Sequence, residues 1–322
     1  MKILKKVASK IKRICLDYPF NSQRIYYKYF RRYAFVDCKC KSYEQFEASI
    51  IRLYHTIEKG LSYSDYRAGF GEANVNNLLL SMEQYAERFD TDKFFYQTAL
   101  SVLNAYVEKN KKYGHIDKRL EDRIKKLPGT ANQYGGVIEV SAPSEVEIKS
   151  MNYEQLVLSR HSIRQYSDKP VNIDKLKKAV QLAQYTPSAC NRQGWKTRII
   201  SDKKLITEVL IYQNGNRGFG DKFDKLLVIT GDLRCFQKNR EVFQLFIDGG
   251  MYAQSVLNSL YYYGIGSVPL SASLTVTQDK MVHKKLKLGD AERLIMFVGV
   301  GNYPDSCLTT RSERKKVSVE VR

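Results

Sequence analysis

The chain has 322 residues, of which 43% are hydrophobic and 12% aromatic. This is typical of a folded protein with a sizeable core and excludes an intrinsically disordered one. The formal net charge of +19 and the sequence pI near 9.5 favour contact with anionic partners, but they do not indicate a fold.

The six cysteines include no Cys-x-x-Cys pair and the four histidines are scattered, so we predict no metal site. Scattered cysteines in a long chain are typical of a reducing compartment. No apolar run reaches the roughly 20 residues of a membrane-spanning helix, and the first residues lack the apolar core of a signal peptide. We therefore expect a cytoplasmic protein.

Residues 2–33 are strongly basic. In residues 2–15 apolar residues recur with a helical period among lysines, and residues 24–33 place basic residues among five aromatic ones. Such a segment could lie on an anionic membrane, here the inner face of the cytoplasmic membrane. Alternatively, it is an amphipathic helix that packs on its own domain with a solvated basic rim.

The next part of the chain has helical periodicity throughout. Apolar residues recur every three to four positions in residues 42–60, and residues 76–89 and 91–109 predict two further helices. A short charged helix follows at residues 117–126. We predict an all-α N-terminal domain over residues 1–129 and a linker over residues 130–150. Residues 130–143 are polar and contain glycine, with a brief extended run at residues 136–140.

Inside the helical region, residues 55–61 read His-Thr-Ile-Glu-Lys-Gly-Leu and residues 67–71 read Arg-Ala-Gly-Phe-Gly. Ordinary capping explains them as the end of a helix and the turn that follows it. Charged residues and glycines between helices could also form the wall of a pocket.

The third part, residues 151–322, alternates helices with short apolar strands. We predict strands at residues 196–200, 225–230, 267–270 and 294–299. The helix predicted at residues 243–262 is apolar nearly all round, so it needs packing partners on every side.

Two guanidinium groups and a hydroxyl occur within five residues at Arg160, Ser162 and Arg164. A guanidinium has a rigid fork of donors that matches phosphate oxygens, and a hydroxyl between two such forks completes an anion site. A surface turn with solvated cations is the alternative. We predict a phosphate site here.

A second cluster, Pro-Ser-x-x-Asn-x-Gln-x-Trp, occupies residues 187–195. The side-chain amides of Asn191 and Gln193 combine a donor with an acceptor, which matches the edge of a flavin or base ring. They could instead simply form a turn. A phosphate site followed by a site for a heterocycle indicates a mononucleotide cofactor.

These residues resemble the nitroreductase family of FMN-dependent oxidoreductases. Residues 160–164 are similar to the family's Arg-x-Ser-x-Arg or Lys motif, and residues 187–195 to its Pro-Ser-x-x-Asn-x-Gln-Pro-Trp. Residues 264–272 (Gly-Ile-Gly-Ser-Val-Pro-Leu-Ser-Ala) resemble the glycine-rich strand that faces the flavin. The chain departs from the pattern at Gly194, where the family usually has proline, and at Ser271, where some members have an acidic residue.

The resemblance implies an α+β fold with three layers and a mainly antiparallel central sheet. It implies that NAD(P)H reduces FMN and that the flavin passes hydride to a small-molecule acceptor, with no side chain as obligatory acid. It also implies a homodimer in which Pro187 and Ser188 contact the partner's cofactor and the backbone N–H of Ser271 lies near the ring. The residues assigned to the cofactor are Arg160, His161, Ser162, Arg164, Pro187, Ser188, Asn191, Gln193, Pro269, Ser271 and Arg314.

The helical N-terminal region resembles that of nitroreductase-like proteins from surface-polysaccharide gene clusters, which implies a link to polysaccharide biosynthesis. The alternative to an enzyme is a basic protein without catalytic activity that binds flavin, membrane or nucleic acid. Interleaved tyrosine and basic residues at residues 24–33 would suit RNA stacking, but nucleic acid is not the partner that we expect.

Overall fold

The computed structural model describes residues 21–34, 39–237 and 239–322. Residues 2–20, Cys15 and Cys38 therefore lie outside the described residues, and the expectations that concern them stay predictions. The described residues form two compact units. The sheet unit comprises residues 21–34 and 143–303, and the helical unit comprises residues 39–142 and 304–322.

Several helices precede the first strand, and we number the helices and strands in chain order. They are α1 (Asn21–Tyr33), α2 (Tyr43–Leu61), α3 (Glu72–Ala86), α4 (Phe94–Lys112), α5 (Lys118–Lys126), β1 (Val137–Ser141), α6 (Glu145–Ser150), α7 (Tyr153–Ser159), α8 (Ile173–Ala183), β2 (Trp195–Ile200), α9 (Lys203–Leu210), β3 (Lys225–Asp232), α10 (Gln244–Tyr262), β4 (Ile265–Ser271), α11 (Val276–Leu286), β5 (Glu292–Asn302) and β6 (Ser306–Thr310). No helix among the described residues is long and apolar enough to cross a membrane.

The helical unit is built on α2, α3 and α4. Helix α2 begins with a capping box, in which the Ser42 hydroxyl accepts from the Gln45 N–H and the Gln45 side chain accepts from the Ser42 N–H. The helix buries Phe46 and Ile50 against α3 and α4. The periodic apolar residues thus form the core that their spacing predicts.

Strand β1 pairs with β6 in an antiparallel ladder, with Val137 opposite Thr310 and Ser141 opposite Ser306. The structure therefore differs from the expected linker at residues 130–150, which contains β1 and α6. It also assigns residues 304–322 to the helical unit, whereas we expected them in the second domain. The reason is a strand pair whose members lie far apart in sequence, which local periodicity does not reveal.

The sheet unit contains a four-stranded antiparallel sheet with the order β2-β3-β5-β4. Leu227 and Val298 face α8 and α10 in a buried cluster. On the other face the Phe223 ring fills the space over Gly299, on the side of α9. The central sheet is thus covered by helices on both faces, and the α+β prediction with a mainly antiparallel sheet is confirmed.

The apolar composition of helix α10 predicted burial on every side, but the structure buries only part of its surface. One face, which includes Ala253 and Leu257, lies in the core at 0% and 4% exposure. The opposite side exposes Ile247 and Met251 at 53% and 43%, and Phe246 in the first turn of the helix is 47% exposed. We name these three residues the apolar stripe. Among the described residues, the stripe is exposed and could contact a partner, whereas Ala253 and Leu257 already pack in the core.

Candidate functional site

The residues that follow α7 form neither helix nor strand and lie beside β4. The Ile163 N–H donates to the Ser267 carbonyl at 2.9 Å, and the Ser167 N–H donates to the Asn302 carbonyl at 3.0 Å. Tyr166 packs on Gly301, where a Cβ atom would lie 2.5 Å from the tyrosine ring. A glycine at this position therefore allows the segment to lie close against the sheet.

The charged residues of this segment differ in burial. Arg164 is only 6% exposed, donates from Nη1 to the Ser162 carbonyl at 3.3 Å, and lies over the Phe219 ring at 5.7 Å. Arg160, His161 and Ser162 are half-buried. Two guanidiniums and a hydroxyl therefore belong to one short segment beside β4, and the phosphate site stays a prediction.

The orientation of His161 follows from one contact. Its Nδ1 lies 2.8 Å from the Ser159 carbonyl oxygen. Because a carbonyl can only accept, Nδ1 carries the proton in this hydrogen bond. The ring is thereby held against the end of α7, beside the phosphate-site residues.

The loop at residues 187–194 is held by its own polar side chains. The Ser188 hydroxyl accepts from the Gln193 N–H at 2.9 Å, and Gln193 Nε2 donates to Asn191 Oδ1 at 2.9 Å. Gln184 Nε2 donates to Gln193 Oε1 at 2.7 Å. Pro187, Asn191 and Gln193 are exposed. Hydrogen bonds within the loop therefore fix the side-chain amides of Asn191 and Gln193 before any ligand binds, and both side chains remain exposed.

Three residues of this loop have left-handed backbone conformations without being glycine. The φ angles are +53° at Cys190, +55° at Asn191 and +49° at Gln193. Each such residue costs about 1–2 kcal/mol, although asparagine tolerates the conformation better than most. Backbone strain of this kind clusters at functional sites, because surrounding contacts must hold it in place.

Those surrounding contacts come from residues that sequence analysis missed. Arg192 makes a two-point ion pair with Glu241, at 2.9 and 3.2 Å. The Asp248 carboxylate accepts from the Ala189 N–H, at 3.2 Å to the nearer oxygen, and from Gln244 Nε2 at 2.7 Å. The sequence contained one indication of these contacts, because Asp248 is the single acidic residue of α10.

Trp195 anchors the end of the loop. Its ring stacks on Tyr252 of α10, with centroids 4.8 Å apart and planes 7° apart, and its Nε1 donates to Gln184 Oε1 at 2.8 Å. Trp195 is partly buried and packs against the sheet-unit core.

The third predicted segment is β4. Pro269 lies within the strand opposite Val298, and Ser271 ends it opposite Met296. The Ser271 carbonyl accepts from Gln213 Nε2 at 3.0 Å. Ser271 is exposed and Pro269 is half-buried. Pro269 and Ser271 therefore lie toward the C-terminal end of β4. Arg160 lies toward the same end, because the segment that contains it runs antiparallel to β4.

Within one protomer, the order of the strands in the sheet places the motifs at residues 160–164 and 187–195 far apart. The loop at residues 187–194 leads into β2 and the segment at residues 160–167 lies beside β4, at opposite edges of the sheet. Three strand spacings separate these edges, or roughly 14 Å. Both motifs lie toward the end of the sheet at which β2 begins and β4 finishes.

Arg314, the remaining predicted cofactor residue, belongs to the helical unit. It is exposed, and its guanidinium donates to the Ser312 carbonyl. The Ser312 hydroxyl lies 3.3 Å from His55 Nδ1, and Lys315 pairs with Glu47 of α2. These contacts attach the C-terminal segment to the helical unit, and the phosphate contact of Arg314 stays a prediction.

Comparison with known proteins bears on the same part of the chain. Residues 157–227 match the nitroreductase family. The predicted resemblance to this family is confirmed. The matched stretch, which we name the nitroreductase segment, contains the motifs at residues 160–164 and 187–195. It does not extend to β4 or to Arg314.

Individual relatives are similar over different lengths. The chain is 37% identical over 54 residues to a protein of Streptococcus pyogenes provisionally named NAD(P)H nitroreductase Spy0809, and this covers 17% of the chain and 27% of the relative. It is 23% identical over 155 residues to an Archaeoglobus fulgidus protein provisionally named NADH dehydrogenase/NAD(P)H nitroreductase, which covers 47% of the chain and 84% of the relative. The chain thus spans about a quarter of the first relative.

Among solved structures, a provisionally named nitroreductase of Desulfovibrio desulfuricans in complex with FMN matches with a TM-score of 0.44 and 14% identity. The match covers 53% of this chain and 94% of the other.

Proposed function

We propose that the protein is an FMN-dependent oxidoreductase that takes hydride from NAD(P)H and passes it to a small-molecule acceptor. The observation that carries this proposal is the position of Arg160, Ser162 and Arg164 in one short segment beside β4, within the nitroreductase segment. NAD(P)H nitroreductase is also the activity named for the two relatives.

The residues of this stretch fit the phosphate of a mononucleotide. Arg164 is almost fully buried yet remains cationic, because a guanidinium does not deprotonate in proteins. Arg160 and Ser162 are half-buried and add donors of the kind that phosphate oxygens accept. We assign the phosphate to these three residues and a neighbouring position to His161.

The loop at residues 187–194 fits the heterocycle. Asn191 and Gln193 present amide groups that are already oriented by hydrogen bonds within the loop. Binding to such a site loses little side-chain entropy. Because this loop lies at the opposite edge of the sheet from Arg160, we assign Pro187 and Ser188 to the cofactor of a partner subunit in a homodimer.

When bound, FMN would supply the two-electron chemistry, in which hydride is accepted from NAD(P)H and delivered to the acceptor. The chain would bind and orient the cofactor and leave one ring face open to substrates. We assign the backbone N–H of Ser271, supported by Pro269, to the ring edge, where a donor stabilises negative charge that builds up on reduction. Solvent or the acceptor itself would provide the proton.

The acceptor and its pathway are the finer part of the proposal. The link to surface-polysaccharide biosynthesis rests on the resemblance of the N-terminal region alone. A test compares sugar-linked and nitroaromatic acceptors by the rate at which each reoxidises the reduced protein. Faster reoxidation by nitroaromatic compounds alone would remove the polysaccharide link and leave the oxidoreductase proposal intact.

Helix α1 supports a second, non-exclusive proposal of peripheral contact with an anionic membrane. It has no acidic residue in its first turn and ends in Arg31 and Arg32. Tyr27, Tyr29 and Tyr33 are exposed at 60%, 51% and 62%. Exposed aromatic and basic side chains on one helix suit a lipid headgroup layer. Sedimentation with phosphatidylserine vesicles but not with phosphatidylcholine vesicles is the expected result.

The test of the main proposal is the identity of the bound chromophore. The purified protein is denatured and the released compound is resolved by chromatography. We expect FMN, because the site accepts a terminal phosphate and nothing in the sequence indicates a pocket for adenosine. Release of FAD, or no flavin after incubation of the apo-protein with excess FMN, would contradict the proposal.

A further inference from the structure

A chain of side-chain hydrogen bonds crosses the loop at residues 187–194. Trp195 Nε1 donates to Gln184 Oε1 at 2.8 Å, and Gln184 Nε2 donates to Gln193 Oε1 at 2.7 Å. Gln193 Nε2 in turn donates to Asn191 Oδ1 at 2.9 Å. We name these four side chains the amide relay. Gln184 is the member that comes from the end of α8, and it connects Trp195 to the two amides of the loop.

The direction of the amide relay is fixed at both ends by groups that have a single hydrogen-bonding role. The Trp195 indole N–H can only donate, so the atom of Gln184 that faces it must be the oxygen. At the other end, Gln193 Nε2 also lies 3.0 Å from the Asn191 main-chain carbonyl, which can only accept. Rotating either glutamine amide by a half-turn would place donor against donor and acceptor against acceptor. Both amide orientations therefore follow from chemistry.

The relay is attached to regular secondary structure on both sides of the loop. Gln184 is the C-terminal cap of α8, and its backbone N–H donates to the Gln181 carbonyl at 3.1 Å. Trp195 begins β2 and stacks on Tyr252 of α10. The orientation of the loop amides is thus determined by residues that the helix and the strand hold in place.

The relay determines which group of Asn191 is open to a ligand. Asn191 Oδ1 already accepts from Gln193, whereas no residue that the structure describes accepts from Asn191 Nδ2. Gln193 is engaged at both ends of its own amide. Asn191 is exposed, so its two Nδ2 protons are accessible. The loop therefore presents a hydrogen-bond donor at this position.

We propose that Gln184 is a positioning residue, which holds Asn191 with its Nδ2 donors directed to an acceptor atom of the bound heterocycle. This inference rests on the proposed function, because the heterocycle is that of the FMN assigned to this loop. An oxidised flavin ring has carbonyl oxygens and unprotonated nitrogens that accept, but a single N–H that donates. Asn191 in the opposite orientation would present its oxygen, which matches only that N–H. Gln184 thereby selects the ring edge that the loop can bind.

The test replaces Gln184 with glutamate, which has the same shape. The carboxylate of Gln184→Glu still accepts from Trp195, but it cannot donate to Gln193. The matched control is Gln181→Glu, which adds the same charge at an exposed position one turn earlier on α8. This control accounts for repulsion between a new carboxylate and the phosphate. Titration of the apo-protein with FMN measures affinity, and circular dichroism checks the fold.

At neutral pH we expect Gln184→Glu to bind FMN about tenfold more weakly than wild type, and Gln181→Glu to bind it as wild type does. Protonation restores a donor to the glutamic acid beside its carbonyl oxygen. The affinity of Gln184→Glu relative to wild type at the same pH should therefore rise as the pH falls toward about 4.3, the ordinary pKa of glutamate. A side chain that acts only through packing would show no such recovery.

A double-mutant cycle tests whether Gln184 acts through Asn191. Asn191→Asp removes the Nδ2 donors and should itself weaken FMN binding. In that background Gln184→Glu should add little, because the effects of residues in one hydrogen-bond network are not additive. Full additivity of the two losses would overturn the inference.

Trp195 is the single tryptophan of the chain, so its indole N–H gives one NMR signal that reports on the relay without cofactor. The signal should shift in Gln184→Met, which has no acceptor of comparable strength, and an unchanged signal would overturn the inference. Equal FMN affinities of wild type and Gln184→Glu at neutral pH would overturn it while leaving the FMN assignment intact. Wild type that binds no FMN would overturn the proposed function and this inference together.

Discussion

The apolar stripe on α10 gives the sharpest test of assembly. Ile247 lies in the middle of the stripe and is 53% exposed. We predict that Ile247→Arg disrupts a homodimer and, with it, flavin retention. The matched control is Ile211→Arg, the same change at a position just beyond α9 that is 76% exposed. Ala253 and Leu257 are unsuitable for this purpose because they are buried in the core.

The expected magnitude follows from burial. Covering an isoleucine side chain completely contributes about 1.5–3 kcal/mol, so covering the exposed half of Ile247 contributes about 1 kcal/mol in each protomer. A twofold interface loses this twice, or about 2 kcal/mol, which raises the dissociation constant about 30-fold. Burying an unpaired guanidinium adds several kcal/mol more. Ile211→Arg should cost about 0.5 kcal/mol or less in stability and nothing in association.

Light scattering measures mass and absorbance measures flavin content in the same sample. We expect wild type and Ile211→Arg to be dimers with bound flavin, and Ile247→Arg to be a folded monomer that loses flavin on dilution, because ligand and interface are linked. A wild-type monomer with a full complement of flavin would refute the reasoning. A monomeric Ile247→Arg that retains flavin as wild type does would separate the stripe from the cofactor site.

Three further predictions concern other residues. Arg164→Ala should weaken FMN binding by about 1.5–3 kcal/mol, measured by titrating the folded apo-protein with FMN. Arg164→Lys should recover part of this affinity, and the control Arg240→Ala, at an exposed position, should bind FMN as wild type does. Equal FMN affinities for wild type and Arg164→Ala would refute the assignment. Glu58 is fully buried and accepts the backbone N–H that precedes β1 at 3.1 Å. Its change to Ala should therefore lower the free energy of unfolding by about 1–3 kcal/mol in urea, and to Gln by less, so an unchanged midpoint for both would be contrary evidence. Burial raises the pKa of Cys307 to about 11. At neutral pH iodoacetamide should therefore modify the exposed Cys190, and it should modify Cys307 only when the pH is raised. Mass spectrometry measures the order, and modification of Cys307 before Cys190 would contradict this prediction.

The helices of the N-terminal region were predictable because their apolar residues recur at the helical period and pack as that period requires. Phe46 and Ile50, predicted on one face of a helix, both lie in the core of the helical unit. Antiparallel sheet strands were predictable from short apolar runs together with the family motifs. In both cases the information is local in sequence, or is carried by a motif of a few residues.

Other features depend on contacts that local patterns do not specify. The pairing of Val137 with Thr310 joins residues far apart in sequence, and nothing in either strand names its partner. The apolar run of α10 does not reveal which face packs on the sheet. Likewise, the ion pair between Arg192 and Glu241 exists only after the loop and the chain before α10 have come together. The assignments of individual residues to the cofactor stay predictions.

The central claim is that bound FMN carries hydride from NAD(P)H to an acceptor. The most direct measurement is rapid mixing of the flavin-loaded protein with NADH or NADPH without oxygen, while the visible flavin absorbance is followed. We expect at least one of the two nicotinamide cofactors to bleach the flavin, and an added nitroaromatic acceptor to restore the colour. If dithionite bleaches the bound flavin but neither NADH nor NADPH does, the protein binds flavin without this activity and the proposed function is wrong.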